Sequence, residues 1–255
     1  MPLERLETQA LIDRLSRMLD DAPRPMLAFD ADGTLWRGDV GFDLFEAGIE
    51  AGAFREAASE ALFEEARSAG VEPSGPLDQL AMQLAEANLR GHYADARAFG
   101  MMAWVFAGFT ETEMAAFAKQ VIDERRVADR VFPYVAEVIA WARGQAVEVV
   151  VCSASPRSIV VAGVAALGIG EADVIAVTPA VEDGVLAPRL VEGPMPYAEG
   201  KATRLASERK GRTLLAGFGD TAADAHFMRV ARQAVAVSPH PKLAALEVPG
   251  MIEIV

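Results

Sequence analysis

Two aspartates, Asp30 and Asp32, follow directly on the apolar run Met26–Phe29 and lead into Gly33 and Thr34. Charge at the end of a buried strand is penalised by on the order of several kcal/mol unless a partner compensates it. Two later segments have the same form. The run Val147–Cys152 gives way to Ser153, Ala154 and Ser155, and the run Thr213–Phe218 gives way to Gly219, Asp220, Thr221 and, shortly after, Asp224. In an open parallel sheet, ligands bind at the carboxyl ends of the strands, so these three ends can bring four carboxylates and a hydroxyl into one crevice. The acids would repel one another there unless a cation sat among them. A donor set made only of oxygen suits a hard ion, and Mg²⁺ takes about six oxygens at about 2.1 Å, several of them from water and phosphate. Lys201, at the head of a helix after the Gly193–Gly200 loop, adds a positive charge that can hold an aspartate ionised or neutralise a phosphoryl oxygen.

Residues so far apart in the chain converge only if the right elements carry them. Leu3, Leu6, Leu11, Leu15 and Met18 recur at helical spacing, which predicts an amphipathic lead-in helix ended by Pro23 and Pro25. From about Gly41 to Arg130 the chain is rich in Ala, Glu, Leu and Phe with almost no β-branched runs, so only helices are expected, with a loop at Gly70–Pro76. After Pro133 the texture alternates. A helix near Tyr134–Arg143, a strand at 147–152 and a helix at 156–167 precede a strand at 173–177 and a hairpin around Asp183 and Gly184. A helix from Lys201, strands at 213–218 and 233–237 with a helix after Thr221 between them, and a final strand complete the series. This pattern predicts an α/β fold with a mostly parallel, doubly wound, Rossmann-like sheet. The expected division is a core of residues 1–38 and 131–255 with an all-helical cap, residues 39–130, inserted after the first strand.

The bulk composition limits the partners. The 255 residues are 52% hydrophobic and carry a net charge of -13, which repels nucleic-acid backbones and anionic membrane surfaces. Neither partner is expected. No apolar run reaches membrane-spanning length, and the first residues are acidic rather than a basic stretch before an apolar signal core, so a cytoplasmic protein is expected. The single cysteine, Cys152, rules out an internal disulfide.

Taken together, DADGT at 30–34, Ser153 after a strand, Lys201, and GDTAAD at 219–224 resemble, in order and spacing, the four motifs of the haloacid dehalogenase superfamily of hydrolases. The helical insert between the first two motifs, and the Ser-Ala-Ser-Pro second motif, look most like the phosphoserine phosphatase branch. That resemblance implies a Mg²⁺-dependent phosphomonoesterase acting on a small phosphorylated metabolite. It makes Asp30 the nucleophile that forms an aspartyl-phosphate, and Asp32 the acid that protonates the leaving alcohol and later activates water. It assigns Ser153, the backbone N–H of Ala154 and Lys201 to the phosphoryl oxygens. It assigns the metal to Asp30, the Asp32 carbonyl and Asp220, with Asp224 acting through water or by pairing with Lys201. Asp39 occupies the place of a substrate-recognising glutamate and could meet an amine, and Trp36 joins the cap aromatics Tyr93, Phe99, Trp104, Phe106 and Phe109 as residues that could face substrate, although aromatics in an Ala-rich helical block are expected mostly to form its core. Three positions depart from the branch: Gly33, Ala154 and Ala223 stand where phosphoserine phosphatases have Ser, Gly and Asn. The resemblance therefore does not carry phosphoserine itself over as the substrate.

Other chemistries could use the same residues. Cys152–Arg157 has four residues between cysteine and arginine, one short of the loop of cysteine-based phosphatases, so Cys152 is read as a structural residue. Carbon–halogen displacement would need neither Mg²⁺ nor the acid at Asp32. A phosphotransferase of the same superfamily, or a sensor that binds Mg²⁺ and phosphate without turnover, is the alternative. His92, His226 and His240 lack metal-site spacing and are read as surface or packing residues, while Arg90 and Arg97 could meet a substrate carboxylate or simply face solvent.

Overall fold

The computed structural model describes residues 3–255. Nine strands and eleven α-helices are found among them: β1 (Glu4–Leu6), α1 (Thr8–Ser16), β2 (Pro25–Phe29), α2 (Val40–Glu50), α3 (Ser59–Ala69), α4 (Leu77–Leu89), α5 (Asp95–Trp104), α6 (Glu111–Glu124), α7 (Pro133–Gly144), β3 (Glu148–Pro156), α8 (Arg157–Val164), β4 (Val174–Val177), β5 (Pro179–Glu182), β6 (Val185–Leu190), α9 (Glu199–Glu208), β7 (Thr213–Gly219), α10 (Ala225–Met228), β8 (Gln233–Val237), α11 (Pro241–Ala244) and β9 (Ile252–Ile254). Seven strands form one sheet in the order β1-β9-β8-β7-β2-β3-β4, and every pairing in it is parallel.

The sheet is wound on both faces because its strands are apolar on both. In β2, Leu27 and Phe29 belong to a core shared with Leu11 and Leu15 of α1, Val135 and Val138 of α7 and Val160 of α8. Met26 and Ala28, alternating with them, belong to a second core with Leu205 of α9, Phe227 of α10 and Leu243 of α11. The period-two alternation of a strand does this directly. The first core continues without a break into the helices between β2 and α7, through Leu44, Phe45, Leu62, Leu80 and Phe106.

Local signals account for most of these elements. Asp39 caps α2 by accepting the Phe42 N–H at 2.8 Å, and Thr110 and Glu113 form a reciprocal capping box at the start of α6. Pro133 begins α7, where its missing N–H costs nothing. The β5–β6 hairpin turns at Asp183–Gly184 and docks on the helical insert, with Gly108 N–H donating to Leu186 O and Leu186 N–H to Phe109 O. Among the described residues, no helix is long and apolar enough to cross a membrane.

The lead-in differs from the expectation. Leu3 and Leu6 fit the helical spacing, but the helix runs only over Thr8–Ser16, and residues 4–6 form the edge strand β1 beside β9. The reason is a pairing partner that local spacing does not reveal. Glu4 aligns with Ile252 and Leu6 with Ile254, and Arg5 pairs with Glu253 at 3.0 Å.

Candidate active site

The order β7-β2-β3 puts three strand ends side by side, with β2 in the middle. Asp30 N–H donates to Phe218 O at 2.9 Å, extending the β2–β7 ladder by one step and seating Asp30 beside the start of the Gly219–Asp224 turn. On the other side the β3–β4 register slips. Cys152 pairs with Ile175 and Pro156 with Val177, so Ser153, Ala154 and Ser155 leave the ladder and bulge toward the cavity.

Gly33 makes the turn after β2 possible. Its φ of +75° lies in the left-handed region, and a Cβ there would lie 2.2 Å from the Asp220 carboxylate. Asp220 can therefore close onto the Asp30 turn. Asp30, Asp220 and Asp224 each offer a carboxylate oxygen, and these lie within 4.8 Å of one another.

Lys201, at the start of α9, bridges two of these acids, its Nζ 2.6 Å from Asp30 Oδ1 and 2.6 Å from Asp224 Oδ1, with all three side chains buried. Burial works against the ammonium, but Asp224 and Asp30 outweigh it and hold the Lys201 pKa above its ordinary value. The other oxygen of Asp224 accepts from Thr221 N–H at 3.0 Å, Thr221 Oγ1 at 2.9 Å and Asp220 N–H at 3.3 Å. Both of its oxygens are thus engaged, and Asp224 ties Lys201 to the turn that carries Asp220. Burial, followed by the charge of Asp224, pushes the Asp30 carboxyl up to about 7 against the pull of Lys201. Asp220 is pushed up to about 8 by burial and then by Asp30 and Asp224.

Asp32 faces a different set of partners. Its Oδ1 accepts from the Trp36 indole N–H at 2.9 Å and from Val40 N–H at 2.7 Å, and its Oδ2 accepts from Ser155 Oγ at 2.6 Å. Burial, then the charge of Asp39, pushes its carboxyl up to about 7, opposed by these three donors. Val40 opens α2, so one of the helix's unpaired amide donors serves this carboxylate.

These groups line a cavity of about 630 Å³ that includes Asp30, Asp32, Asp39, Ser153, Ala154, Lys201 and Asp220. Asp224 lies beneath it, fully buried. Trp36 does not line the cavity, which corrects its placement toward substrate: it is completely buried, with Gly163 of α8 packed against its ring. Tyr93, Trp104, Phe106 and Phe109 are buried in the insert, and of these five aromatics only Phe99 reaches the cavity. Arg90 pairs with Glu86, and Arg97 with Glu65, away from it. Cys152 lies in the second core, with its thiol pushed up to about 12 by burial, and takes no part in the cavity.

Ser155, from the β3 end that the sequence already marks, also lines the cavity, as do Met102, Tyr197, His240 and Lys242, which no motif marks. Tyr197 was in principle within reach, because it lies in the loop just before Lys201. The His240 backbone N–H donates to Asp220 O at 2.8 Å, which brings the β8–α11 turn to the rim. No local pattern marks it.

The fold accords with what is found among known proteins. Residues 27–229 match the haloacid dehalogenase-like hydrolase family. The chain belongs to that family. Among solved structures, this hydrolase is similar to a Bordetella pertussis Tohama I protein of unknown function, at 18% identity over 91% of this chain and 98% of that one, with a TM-score of 0.72. It is also similar to a HAD-family hydrolase from Salmonella enterica serovar Typhi, at 15% identity over 96% of this chain and 75% of that one, TM-score 0.59. A substrate-bound phosphoserine phosphatase shares the fold at 17% identity over 90% of this chain and 93% of that one, TM-score 0.53. Comparison with curated proteins finds no match.

The acidic cluster fits a divalent cation on its own chemistry. When ionised, the three carboxyls against one ammonium carry two net negative charges in a largely buried space, and every donor is oxygen.

Proposed function

We propose that this hydrolase is a Mg²⁺-dependent phosphatase that cleaves a small phosphomonoester through an aspartyl-phosphate on Asp30. The observation that carries the reading is the placement of two unlike carboxyls at one strand end. Asp30 lies in the acid–lysine cluster, while Asp32, two residues on, faces the same cavity from outside that cluster.

In the first half-reaction an Asp30 oxygen attacks phosphorus as the bond to the leaving oxygen breaks, and Asp32 gives its proton to that oxygen. In the second, Asp32 takes a proton from water as the water attacks the aspartyl-phosphate, the acyl–phosphate P–O bond breaks, and inorganic phosphate and free Asp30 are restored. A carboxyl pushed up to about 7 suits both duties near neutral pH. Ser153, Ala154 N–H and Lys201 hold the phosphoryl oxygens. Mg²⁺ would be held by Asp30, Asp220 and the Asp32 carbonyl, with Asp224 supporting, and when bound it supplies charge neutralisation to the phosphoryl group.

The helical insert, residues 39–130, acts in this reading as a cap. Asp39, at the cavity wall on the first helix of the insert, favours a substrate that carries an amine, such as a phosphorylated amino acid or amino alcohol. The apolar Phe99, Met102 and Tyr197 suit a small organic group rather than a polymer. The test is phosphate release from a panel of phosphorylated amino acids, amino alcohols, sugars and nucleotides, with Mg²⁺ and with EDTA. The reading expects Mg²⁺-dependent turnover of at least one small phosphomonoester. No release above an Asp30→Asn control would favour a non-catalytic phosphate binder.

A further inference from the structure

The two oxygens of Asp32 are held by different kinds of group. Oδ1 accepts from the Trp36 indole N–H and the Val40 amide, neither of which can accept a hydrogen bond in return. Oδ2 meets only the Ser155 hydroxyl, which can either donate or accept. A proton placed on Oδ1 would face two donors, so the oxygen free to carry and exchange one is Oδ2.

The holders are themselves fixed. Trp36 is fully buried, its carbonyl accepts from Gly33 N–H at 2.9 Å, and Gly163 lets α8 pack directly on its ring: a Cβ at that position would come within 2.9 Å of the indole. Ser155 donates its own N–H to Ser153 Oγ at 3.0 Å and lies against Gly41, where a Cβ would come within 2.6 Å of the Ser155 hydroxyl. Both side chains are buried at their places beside Asp32.

We infer that Trp36 and Ser155 are positioning residues for Asp32, Trp36 by holding Oδ1 as a pure acceptor and Ser155 by engaging Oδ2 as the oxygen that trades a proton with the substrate. The inference rests on the phosphatase reading, in which Asp32 is the acid and base. As the P–O bond to the alcohol breaks, the Oδ2 proton passes to the leaving oxygen, and the Ser155 hydroxyl then donates to the oxygen left charged. The same hydroxyl accepts from Oδ2 once water has returned the proton.

Leaving-group dependence tests this directly. An alkyl phosphate needs its departing oxygen protonated, whereas p-nitrophenolate leaves without help, and kcat/KM reports only the steps up to that departure. Trp36→Phe keeps most of the ring and removes the N–H. It is expected to lower kcat/KM for an alkyl phosphate roughly tenfold more than for p-nitrophenyl phosphate. Ser155→Ala removes only the hydroxyl, and the same selective loss is expected, so the test stands if Trp36→Phe does not fold. In an Asp32→Asn background neither change should alter the ratio between the two substrates. Losses that are equal for both substrates, or a ratio that still moves in the Asp32→Asn background, would overturn the inference while leaving the phosphatase reading intact. The alkyl phosphate is whichever member of the panel the enzyme turns over; if it turns over none, the reading and the inference fall together.

Discussion

Gly33 shows how much the site asks of one residue without a side chain. Its positive φ turns the chain between Asp32 and Thr34, and the space a Cβ would take is filled by the Asp220 carboxylate 2.2 Å from that position. Gly33→Ala therefore has to relax the backbone and also push Asp220 away. We expect it to destabilise the protein by about 1–3 kcal/mol in chemical denaturation and to weaken Mg²⁺ binding in calorimetry. Unchanged Mg²⁺ affinity would mean that Asp220 is not part of the metal site. The nucleophile is simpler to probe. Asp30→Asn keeps the size of the side chain and removes its nucleophilic charge, and turnover of p-nitrophenyl phosphate should fall about a thousandfold or more with the fold retained by circular dichroism.

Elements explain which parts of the site could be read in advance. A strand followed by acids is a local pattern, so the ends of β2, β3 and β7 were legible from Met26–Asp32, Val147–Ser155 and Thr213–Asp224. What was not legible came from pairing and packing across distance. β1 exists because residues 4–6 meet β9 at the other end of the chain, and Trp36 left the expected substrate wall because α8 buries it. The contacts of Tyr197, though not its nearness to Lys201, belong with these. Its hydroxyl donates to Asp95 Oδ2 at 2.8 Å and its ring meets Phe99 edge-on at 5.2 Å, tying the loop before α9 to α5 across the cavity mouth. Tyr197→Phe keeps the ring contact and cuts the tie. KM for a small phosphomonoester should rise about two- to tenfold, with a smaller change in kcat. A change confined to kcat would place Tyr197 in the chemistry instead.

At the scale of the whole molecule, the site stores repulsion in a protein that already carries a charge of -13. Asp30 and Asp32 are pushed up to about 7 and Asp220 to about 8, from an ordinary value of about 4. The folded chain therefore binds more protons than the unfolded chain between about pH 4 and pH 8. The contribution of these three groups to the stability of the metal-free protein is fully present below that window and is lost as pH rises through it. Thermal unfolding in EDTA should shift downward from about pH 5.5 to about pH 8.5. Mg²⁺ at about 100 times its dissociation constant should raise the midpoint by about 5–10 °C at the upper end, and by less at the lower end. A flat pH response would mean that the acids are not crowded when the metal is absent. Transfer of a phosphoryl group to Asp30 is read by acid-quenching the enzyme during turnover of radiolabelled p-nitrophenyl phosphate with Mg²⁺ and counting label left on the protein. Covalent label is expected on the unmodified enzyme and none on Asp30→Asn; phosphate release with no trapped label, or label undiminished in Asp30→Asn, would rule out Asp30 as the nucleophile.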